Sequence, residues 1–312
     1  MPNKEYKPTL AQLRTFVTIA EHKHFGTAAA KLNISQPSLS QALVALEAGL
    51  GVQLIERSTR KVIVTPKGQA VLPYAKAALD ASEAFVAHAR GSEGTLGGPL
   101  TIGIIPTVAP YLLPHLLRDM HEQYPGAAPR FIEDQTDNLL IKLREGAIDV
   151  AILATPVEAP GVKTVDLYRE PFVAITPAGH SLAGKEELSL EDLSQLELLL
   201  LDDGHCLRDQ VIDLCKLAGA YEAAAAQSVT RAASLATVVQ LVVADMGSTL
   251  LPLSAVAAEC SRPGLAVVPF SEESGAQRTI GLAFRASAAR DEDFEALGQL
   301  VTSAYASAVE TA

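Results

Sequence analysis

The hydrophobic positions of the first fifty residues recur at helical spacing. Over residues 10–20 the apolar side chains repeat every three or four residues, which predicts an amphipathic helix. An alanine-rich segment over residues 27–32 predicts a short second helix. Ser35 is then a candidate N-cap and Pro37 lies where a first helical turn tolerates proline, so a third helix is predicted towards residue 48.

The pattern next changes to alternation. Residues 52–55 and 62–64 alternate in polarity on either side of a basic tip, which predicts a β-hairpin, or wing. A long helix is predicted over residues 66–90, because a proline opens it and apolar residues recur every seven positions, as in a dimerising helix. Pro73 lies inside this helix and is expected to bend it without ending it.

Glycine clusters at residues 91–98, and this composition predicts a hinge. Beyond the hinge, apolar strand-like runs alternate with helical patterns, as in an α/β sheet. The predicted strands are residues 100–105, 130–133, 148–153, 173–176, 196–201, 248–252, 265–269 and 279–284. The pattern thus predicts a helical N-terminal domain with a wing, followed by a larger α/β region.

Composition agrees with a soluble protein. The 312 residues leave room for about two domains, and 48% apolar with 20% charged residues is ordinary globular composition. No run of about 18 apolar residues is present, and the first ten residues mix charges rather than building a signal segment. The expectation is a cytoplasmic protein with no membrane partner.

The net charge must be divided by region before it says anything about partners. It is -11 for the whole chain, which argues against a nucleic-acid partner. Residues 1–90, however, hold eleven Lys and Arg against six Asp and Glu, a net charge of +5, whereas the remainder holds fourteen against thirty, a net charge of -16. The N-terminal domain alone could therefore bind phosphates.

The three cysteines are too few for a disulfide scaffold. Cys206, Cys215 and Cys260 also lack the paired spacing of a zinc site, so no metal and no cofactor is expected, and all three should be thiols in a reducing compartment. Cys260 is interpreted as a small buried hydrophobic residue.

The segment AAAKLNISQPSLSQALVALEAGLGVQLIERSTRKVIVTPK, residues 28–67, closely resembles the DNA-binding domain of LysR-type transcription regulators. The resemblance implies a winged helix-turn-helix domain over residues 1–65, a dimerising linker helix over 66–90, the hinge, and a regulatory domain over 99–312. One departure is Ile55, where the family usually has Phe; it affects packing rather than DNA contact.

In that family the helix that opens at SQPSLSQ lies in the major groove. Gln can pair with adenine and Ser bonds to several groups, while wing cations hold phosphates. The residues expected to contact double-stranded promoter DNA are Ser35, Gln36, Ser38, Gln41, Arg57, Arg60 and Lys61. The alternative is a helical hairpin whose Ser and Gln residues merely face solvent.

A second segment, DDGHCLRDQVIDLCKLAG over residues 202–219, resembles the peroxide-sensing members of the same family, as do IPTVAPYLLPH at 105–115, QT at 135–136 and RTIG at 278–281. The resemblance implies a sensor of two α/β lobes like a type 2 periplasmic binding protein, with lobe I over about 99–168 and 273–312, and lobe II over about 169–272. It also implies a homotetramer, a dimer of dimers, that is reset by a cellular thiol reductant, although a dimer stays open.

The resemblance further implies that hydrogen peroxide oxidises Cys206 and that a disulfide with Cys215 follows. The residues carried over as binding or activating peroxide are Thr107, Thr136, His205, Asp209 and Arg278. Each threonine has the alternative role of a helix cap, and Arg278 that of a partner for a surface carboxylate.

Residue chemistry leads to a similar hypothesis. Asp203 or Gly204 can cap a helix whose first turn contains Cys206, and the helix dipole, with charge from His205 and Arg208, would favour a thiolate. The Thr107 hydroxyl could donate to a departing hydroxide, and Asp209 could anchor a proton relay.

The spacing of the two cysteines indicates a switch. Cys215 lies nine residues after Cys206, which is ~13.5 Å along an intact helix. Bridged cysteines need Cα atoms within about 7 Å, so a disulfide requires the segment to unwind.

Other function classes stay open at this point. A LysR-type regulator could instead bind a small anion in the cleft between the lobes, with Thr107 and Thr136 as ligands. A thiol peroxidase would need turnover by a reductant, and the DNA-binding segment argues against an enzyme. A periplasmic solute-binding protein is excluded by the helix-turn-helix segment and by the lack of a signal peptide.

Overall fold

The computed structural model describes residues 6–57, 62–89, 95–219 and 231–310. The chain forms two units, one made chiefly of Met1–Glu93 and the other of Gly94–Leu143, Ile148–Ala286 and Arg290–Ala312. None of the described helices is long and apolar enough to cross a membrane. The predicted wing tip at 58–61 and the hinge residues 91–94 lie outside the described residues.

The N-terminal unit contains the predicted helices and the hairpin. Its elements are α1 (Leu10–His22), α2 (Phe25–Lys31), α3 (Gln36–Leu50), β1 (Ile55–Arg57), β2 (Val62–Val64) and α4 (Pro66–Ala89). β1 and β2 pair antiparallel. The helix α4 continues through Pro73.

Apolar faces of α1 and α3 form the core of this unit. Phe16 and Ile19 of α1 pack with Leu39 and Leu43 of α3, all at most 1% exposed. Ile55 is also fully buried, so its aliphatic side chain is part of this core.

The second unit has two lobes that share the long strand β6. Lobe I is a sheet of order β4-β3-β5-β11-β6 with α5, α6 and α10; lobe II places β9 and β10 on the second half of β6, with the pair β7-β8 and helices α7, α8 and α9. The bounds are β3 (Gly98–Ile104), α5 (Ala109–Gln123), β4 (Ala127–Glu133), α6 (Thr136–Arg144), β5 (Val150–Thr155), β6 (Val162–Pro177), β7 (Leu200–Leu201), α7 (Cys206–Leu217), β8 (Arg231–Ala232), α8 (Leu235–Val243), β9 (Thr249–Pro252), α9 (Val256–Glu259), β10 (Leu265–Pro269), β11 (Gln277–Arg285) and α10 (Asp291–Val309). The predicted α/β fold class is confirmed.

The strand β6 crosses from one lobe to the other. Its first half pairs with β11 as far as Pro171, and its second half pairs with β9 and β10 from Phe172 onward. The sequence predicted only residues 173–176 of it, because the first half is mostly exposed and polar and has no apolar run. The predicted strand at 196–201 is shorter in the structure, where regular pairing covers only Leu200–Leu201.

The strand β11 lies between β5 and β6, antiparallel to both. A β-bulge interrupts its pairing with β6 between Ile280 and Gly281. A side chain at Gly281 would begin 2.5 Å from the Val165 carbonyl oxygen and 2.9 Å from Thr155 Cγ2. This position therefore excludes any residue larger than glycine.

We expect Gly281→Ala to lower the free energy of unfolding by about 2 kcal/mol, because overpacking forces the rigid backbone of β6 to shift. Urea denaturation of the purified protein measures the change. Gly126→Ala is the matched control, since a Cβ there would meet nothing within 4 Å. Equal stabilities of the two variants would contradict the close packing at the bulge.

Candidate functional site

The exposed side of α3 carries the residues predicted to read DNA. The Ser35 hydroxyl accepts from the Ser38 backbone N–H group at 3.3 Å and caps the helix. Gln36, Ser38 and Gln41 are exposed, whereas Leu39 is fully buried. The surface on which the prediction depends is therefore present and polar.

The basic wing is only partly described. Arg57 belongs to β1. Arg60 and Lys61 lie outside the described residues, so their predicted phosphate contacts stay predictions.

Cys206 is the first residue of α7, at the edge of lobe II. His205 occupies the N-cap position and makes no side-chain capping bond, so the predicted cap at Asp203 or Gly204 is wrong. The Leu207 backbone N–H group and the Thr136 hydroxyl interact with the Cys206 sulfur and lower its pKa. The N-terminal turn of α7 therefore helps to stabilise the thiolate form of Cys206 through its backbone N–H group.

The positive charge beside Cys206 comes from Arg278 and not from the residues expected. Burial lowers the pKa of His205, which keeps that imidazole neutral at pH 7. Arg208 pairs with Asp203, with 3.0 Å between Nε and Oδ1. Arg278, far away in sequence, lowers the pKa of the Cys206 thiol by its charge.

Arg278 is fully buried between strands. It lies on β11 opposite Glu170 of β6. The two side chains are both 0% exposed, and Arg278 Nη2 lies 2.7 Å from Glu170 Oε2. The alternative of a surface carboxylate partner for Arg278 is therefore wrong.

Arg278 also holds Thr107, which follows β3 and precedes α5. Its Nη1 donates to Thr107 Oγ1 at 2.9 Å and its Nη2 donates to the Thr107 backbone oxygen at 3.0 Å. Because its oxygen accepts from Arg278, the Thr107 hydroxyl keeps its own proton to donate. Thr107 is 2% exposed and caps no helix through its side chain.

Thr136 and Asp209 complete the surroundings of the sulfur. Thr136 Oγ1 is buried and has no regular hydrogen bond among the described residues, although it lies close enough to Cys206 to lower the thiol pKa. Asp209, one turn along α7, is exposed, and its charge raises that pKa.

Burial outweighs these local effects at Cys206. Removal from water is the largest influence and raises the pKa of the thiol above its ordinary value, although Arg278 and Thr136 oppose the change. The predicted low-pKa thiolate is therefore wrong for this conformation: the resting sulfur is a thiol at pH 7.

Cys215 lies in the same helix, which is intact between the two sulfurs. It is 0% exposed in the core of lobe II, and burial raises the pKa of its thiol. Both cysteines are free. Nine residues of helix place them ~13.5 Å apart along the axis, too far for a bond in this conformation.

Cys260 follows α9 and packs against the core of lobe II. Burial, with a smaller effect from Glu259, raises its pKa to about 11. Its surroundings are those expected of a small hydrophobic residue.

Two residues at the site were not predicted. Glu170 lies 108 positions before its partner Arg278, so only strand register brings the two together. Gln135 donates through Nε2 to the Asp203 carbonyl at 3.3 Å and holds the loop before Cys206. A Cβ at Gly204 would come 2.5 Å from Gln135 Oε1, and Gly204 has a φ of +91°. No local sequence signal marks the Glu170 contact, whereas Gln135 belongs to the QT pair that shares in the family resemblance but was given no role.

Two family profiles cover most of the chain. The profile described as bacterial regulatory helix-turn-helix protein, lysR family, matches residues 10–69, and the LysR substrate binding domain matches residues 93–306. A relative from Mycobacterium avium named "Probable hydrogen peroxide-inducible genes activator" is 50% identical over 301 residues, covering 96% of each chain.

Solved structures give the same assignment. A hydrogen-peroxide-bound cysteine-to-serine mutant of OxyR from Corynebacterium glutamicum is 58% identical, with 99% of this chain and 96% of that chain covered and a TM-score of 0.70. A full-length cysteine-to-aspartate variant of OxyR from Pseudomonas aeruginosa is 35% identical, with coverages of 95% and 98% and a TM-score of 0.79. The chain therefore belongs to the LysR family of bacterial helix-turn-helix transcription regulators, and within that family to the OxyR type.

Proposed function

We propose that the protein is a transcription regulator, not an enzyme, that senses hydrogen peroxide through oxidation of Cys206 and a disulfide with Cys215. The observation that carries the proposal is a cysteine at a helix N-terminus, beside the Thr136 hydroxyl and a buried arginine that also bonds Thr107, with a second cysteine in the same helix. Relatives support it, since one is named a peroxide-inducible gene activator and others are OxyR structures with bound H2O2 or in an oxidised form.

The charge of the site favours a neutral ligand over a small anion. Arg278 is already paired with Glu170, so the two groups together carry no net charge. Arg278 has five N–H donors, and its bonds to Glu170 and Thr107 use four of them. The fifth, on Nη1, has no acceptor among the described residues and could bond to a peroxide oxygen. H2O2 fits this site better than the alternative anionic effector does.

The proposed reaction has two steps. The Cys206 thiolate attacks one peroxide oxygen, the O–O bond breaks, and sulfur is oxidised by two electrons to a sulfenic acid while hydroxide leaves as water after protonation. Thr107, whose proton is free, donates towards the leaving oxygen. Cys215 then attacks the sulfenic sulfur, an S–S bond forms, and water leaves. Thr136, His205 and Asp209 are assigned to peroxide binding and activation.

The disulfide changes the conformation of the sensor. Because α7 keeps the sulfurs apart, bond formation requires the segment between Cys206 and Cys215 to refold. We propose that this refolding changes how the domain of residues 1–65 binds promoter DNA, through the linker helix 66–90 and hinge 91–98, in a homotetramer that a cellular thiol reductant resets.

The first prediction assigns unequal roles to the two sulfurs. Cys206→Ser should abolish oxidation by stoichiometric H2O2, whereas Cys215→Ser should accumulate a sulfenic acid on Cys206 for lack of a second thiol. Peptide mapping by mass spectrometry after stopped-flow mixing measures both, and the untreated protein is the control. A bridge to Cys260, or label appearing first on Cys215, would overturn the proposal.

The second prediction concerns the thiol pKa. In Cys215→Ser/Cys260→Ser, alkylation of Cys206 by iodoacetamide should show a midpoint above about 8.5, the ordinary thiol value, since burial outweighs Arg278. The raised pKa makes the thiol dominant at pH 7, so the rate should still be rising through pH 8. The same variant in urea, with an ordinary midpoint, is the control. A folded-state midpoint below the unfolded one would refute the prediction.

The third prediction concerns DNA. Gln36→Ala should relax sequence preference with about 1–3 kcal/mol less discrimination at one base pair. Arg60→Ala should instead weaken binding to all sequences and reduce the salt slope by about one. Fluorescence anisotropy with operator and scrambled duplexes at several salt concentrations separates the two effects. If Arg60→Ala left affinity and slope unchanged, the wing would not contact phosphates.

A further inference from the structure

The carboxylate of Glu170 is buried, and both of its oxygens accept hydrogen bonds. Its Oε2 accepts from Arg278 Nε at 2.8 Å and from Nη2 at 2.7 Å, and its Oε1 accepts from the Ser254 backbone N–H group at 3.1 Å. Ser254 belongs to lobe II, in the turn before α9. Glu170 lies one residue before the point where β6 passes from lobe I to lobe II. One carboxylate therefore fixes the arginine and links it to both lobes.

The position of the guanidinium follows from this pair. Arg278 and Glu170 are direct partners in the antiparallel register of β11 and β6. Two bonds to one carboxylate leave a planar guanidinium little freedom to rotate. The edge that faces away from Glu170 then meets Thr107, through its Oγ1 and its backbone oxygen.

Two tyrosines beside the pair stay neutral. Tyr168 and Tyr305 stack with ring centroids 3.9 Å apart. Burial raises the pKa of Tyr168, and burial with the charge of Glu170 raises that of Tyr305 to about 12. Neither phenol can replace Glu170 as the anion that holds Arg278.

We infer that Glu170 is a positioning residue of the peroxide reaction: it holds Arg278 so that one N–H group orients the Thr107 hydroxyl towards the leaving oxygen and another points at the peroxide. The inference rests on the proposed function and names a residue that neither touches peroxide nor lies near Cys206 in sequence.

The test compares two reagents on one thiol. In Cys215→Ser/Cys260→Ser, Cys206 is the single remaining cysteine. Hydrogen peroxide needs help for its leaving hydroxide, whereas iodoacetamide releases iodide and needs none. Both react with the thiolate, so the ratio of the two second-order rate constants is independent of the thiol pKa. A change in the thiol pKa cancels in this ratio because the thiolate fraction enters both rate constants, whereas misplacement of Thr107 lowers the ratio. The rates are compared only at temperatures where each variant is fully folded, since unfolding would expose Cys206 to iodoacetamide.

We expect Glu170→Gln to lower the ratio about tenfold, as one misplaced transition-state hydrogen bond would. Thr107→Val should lower it similarly, and the double variant should be lower by no more than about twofold again, because both changes remove the same interaction. The matched control is Asp149→Asn, which removes another carboxylate beside a buried arginine of β11, Arg285. Its ratio should equal that of the parent.

Glu170→Gln leaves a buried cation without its anion, which threatens folding. A second pair of variants therefore tests whether the effect of Glu170 depends on Arg278. The pair is Arg278→Gln alone and Arg278→Gln with Glu170→Gln. Without the guanidinium, Glu170 has nothing to position, so these two ratios should agree within about twofold. Circular dichroism melting confirms that each variant is folded.

The outcomes are distinct. If the parent's Cys206 does not react with peroxide while iodoacetamide alkylates it, the proposed function fails. If the parent reacts and Glu170→Gln keeps its ratio, or the effects of Glu170→Gln and Thr107→Val multiply, only the positioning role fails. The positioning role would also fail if the rate-constant ratio of Arg278→Gln with Glu170→Gln were far below the ratio of Arg278→Gln alone.

Discussion

The buried ion pair of Arg278 and Glu170 is the constraint on which the sensor depends. Taking two charges out of water costs several kcal/mol per ion, and the cost is offset only when attraction and hydrogen bonds are nearly complete. Here strand register sets the charges opposite each other, and the carboxylate accepts three hydrogen bonds. Thr107 and the electrostatic field at Cys206 depend on the position of this guanidinium, and the Ser254 backbone N–H group donates to the carboxylate.

The helix α7 is the second constraint, because it keeps the two sulfurs apart for as long as it is intact. Leu207, Val211 and Leu214 are buried along it, together with Cys215. Exposing the three aliphatic side chains would cost roughly 5–9 kcal/mol at about 1.5–3 kcal/mol each. A stable oxidised state must therefore rebury most of this surface. The proposed switch is thus an exchange between two packed conformations and not an unfolding.

Sequence periodicity was sufficient for the α/β fold class and the exposed polar side of α3, because both are set by local patterns. Residues quoted for their resemblance, such as Thr107 and Arg278, do come together. The charges and pKa shifts around Cys206 could not be predicted in this way. His205 was expected to supply charge, but burial lowers its pKa, and Glu170 meets Arg278 only through pairing of strands distant in sequence. The spacing of residues along the chain does not show which side chains become buried or which residues of distant strands pair.

The raised thiol pKa of Cys206 finally defines what the rest of the site must supply. Each unit of pKa above the ambient pH lowers the thiolate fraction about tenfold, whereas the more basic thiolate gains only about threefold in nucleophilicity for a Brønsted coefficient near 0.4–0.5. Burial therefore slows the reaction on balance, and thiolate population alone cannot make the proposed sensor fast. Its rate must come from stabilising the departing hydroxide. In this structure the groups placed for that task are the Thr107 hydroxyl and the guanidinium that orients it.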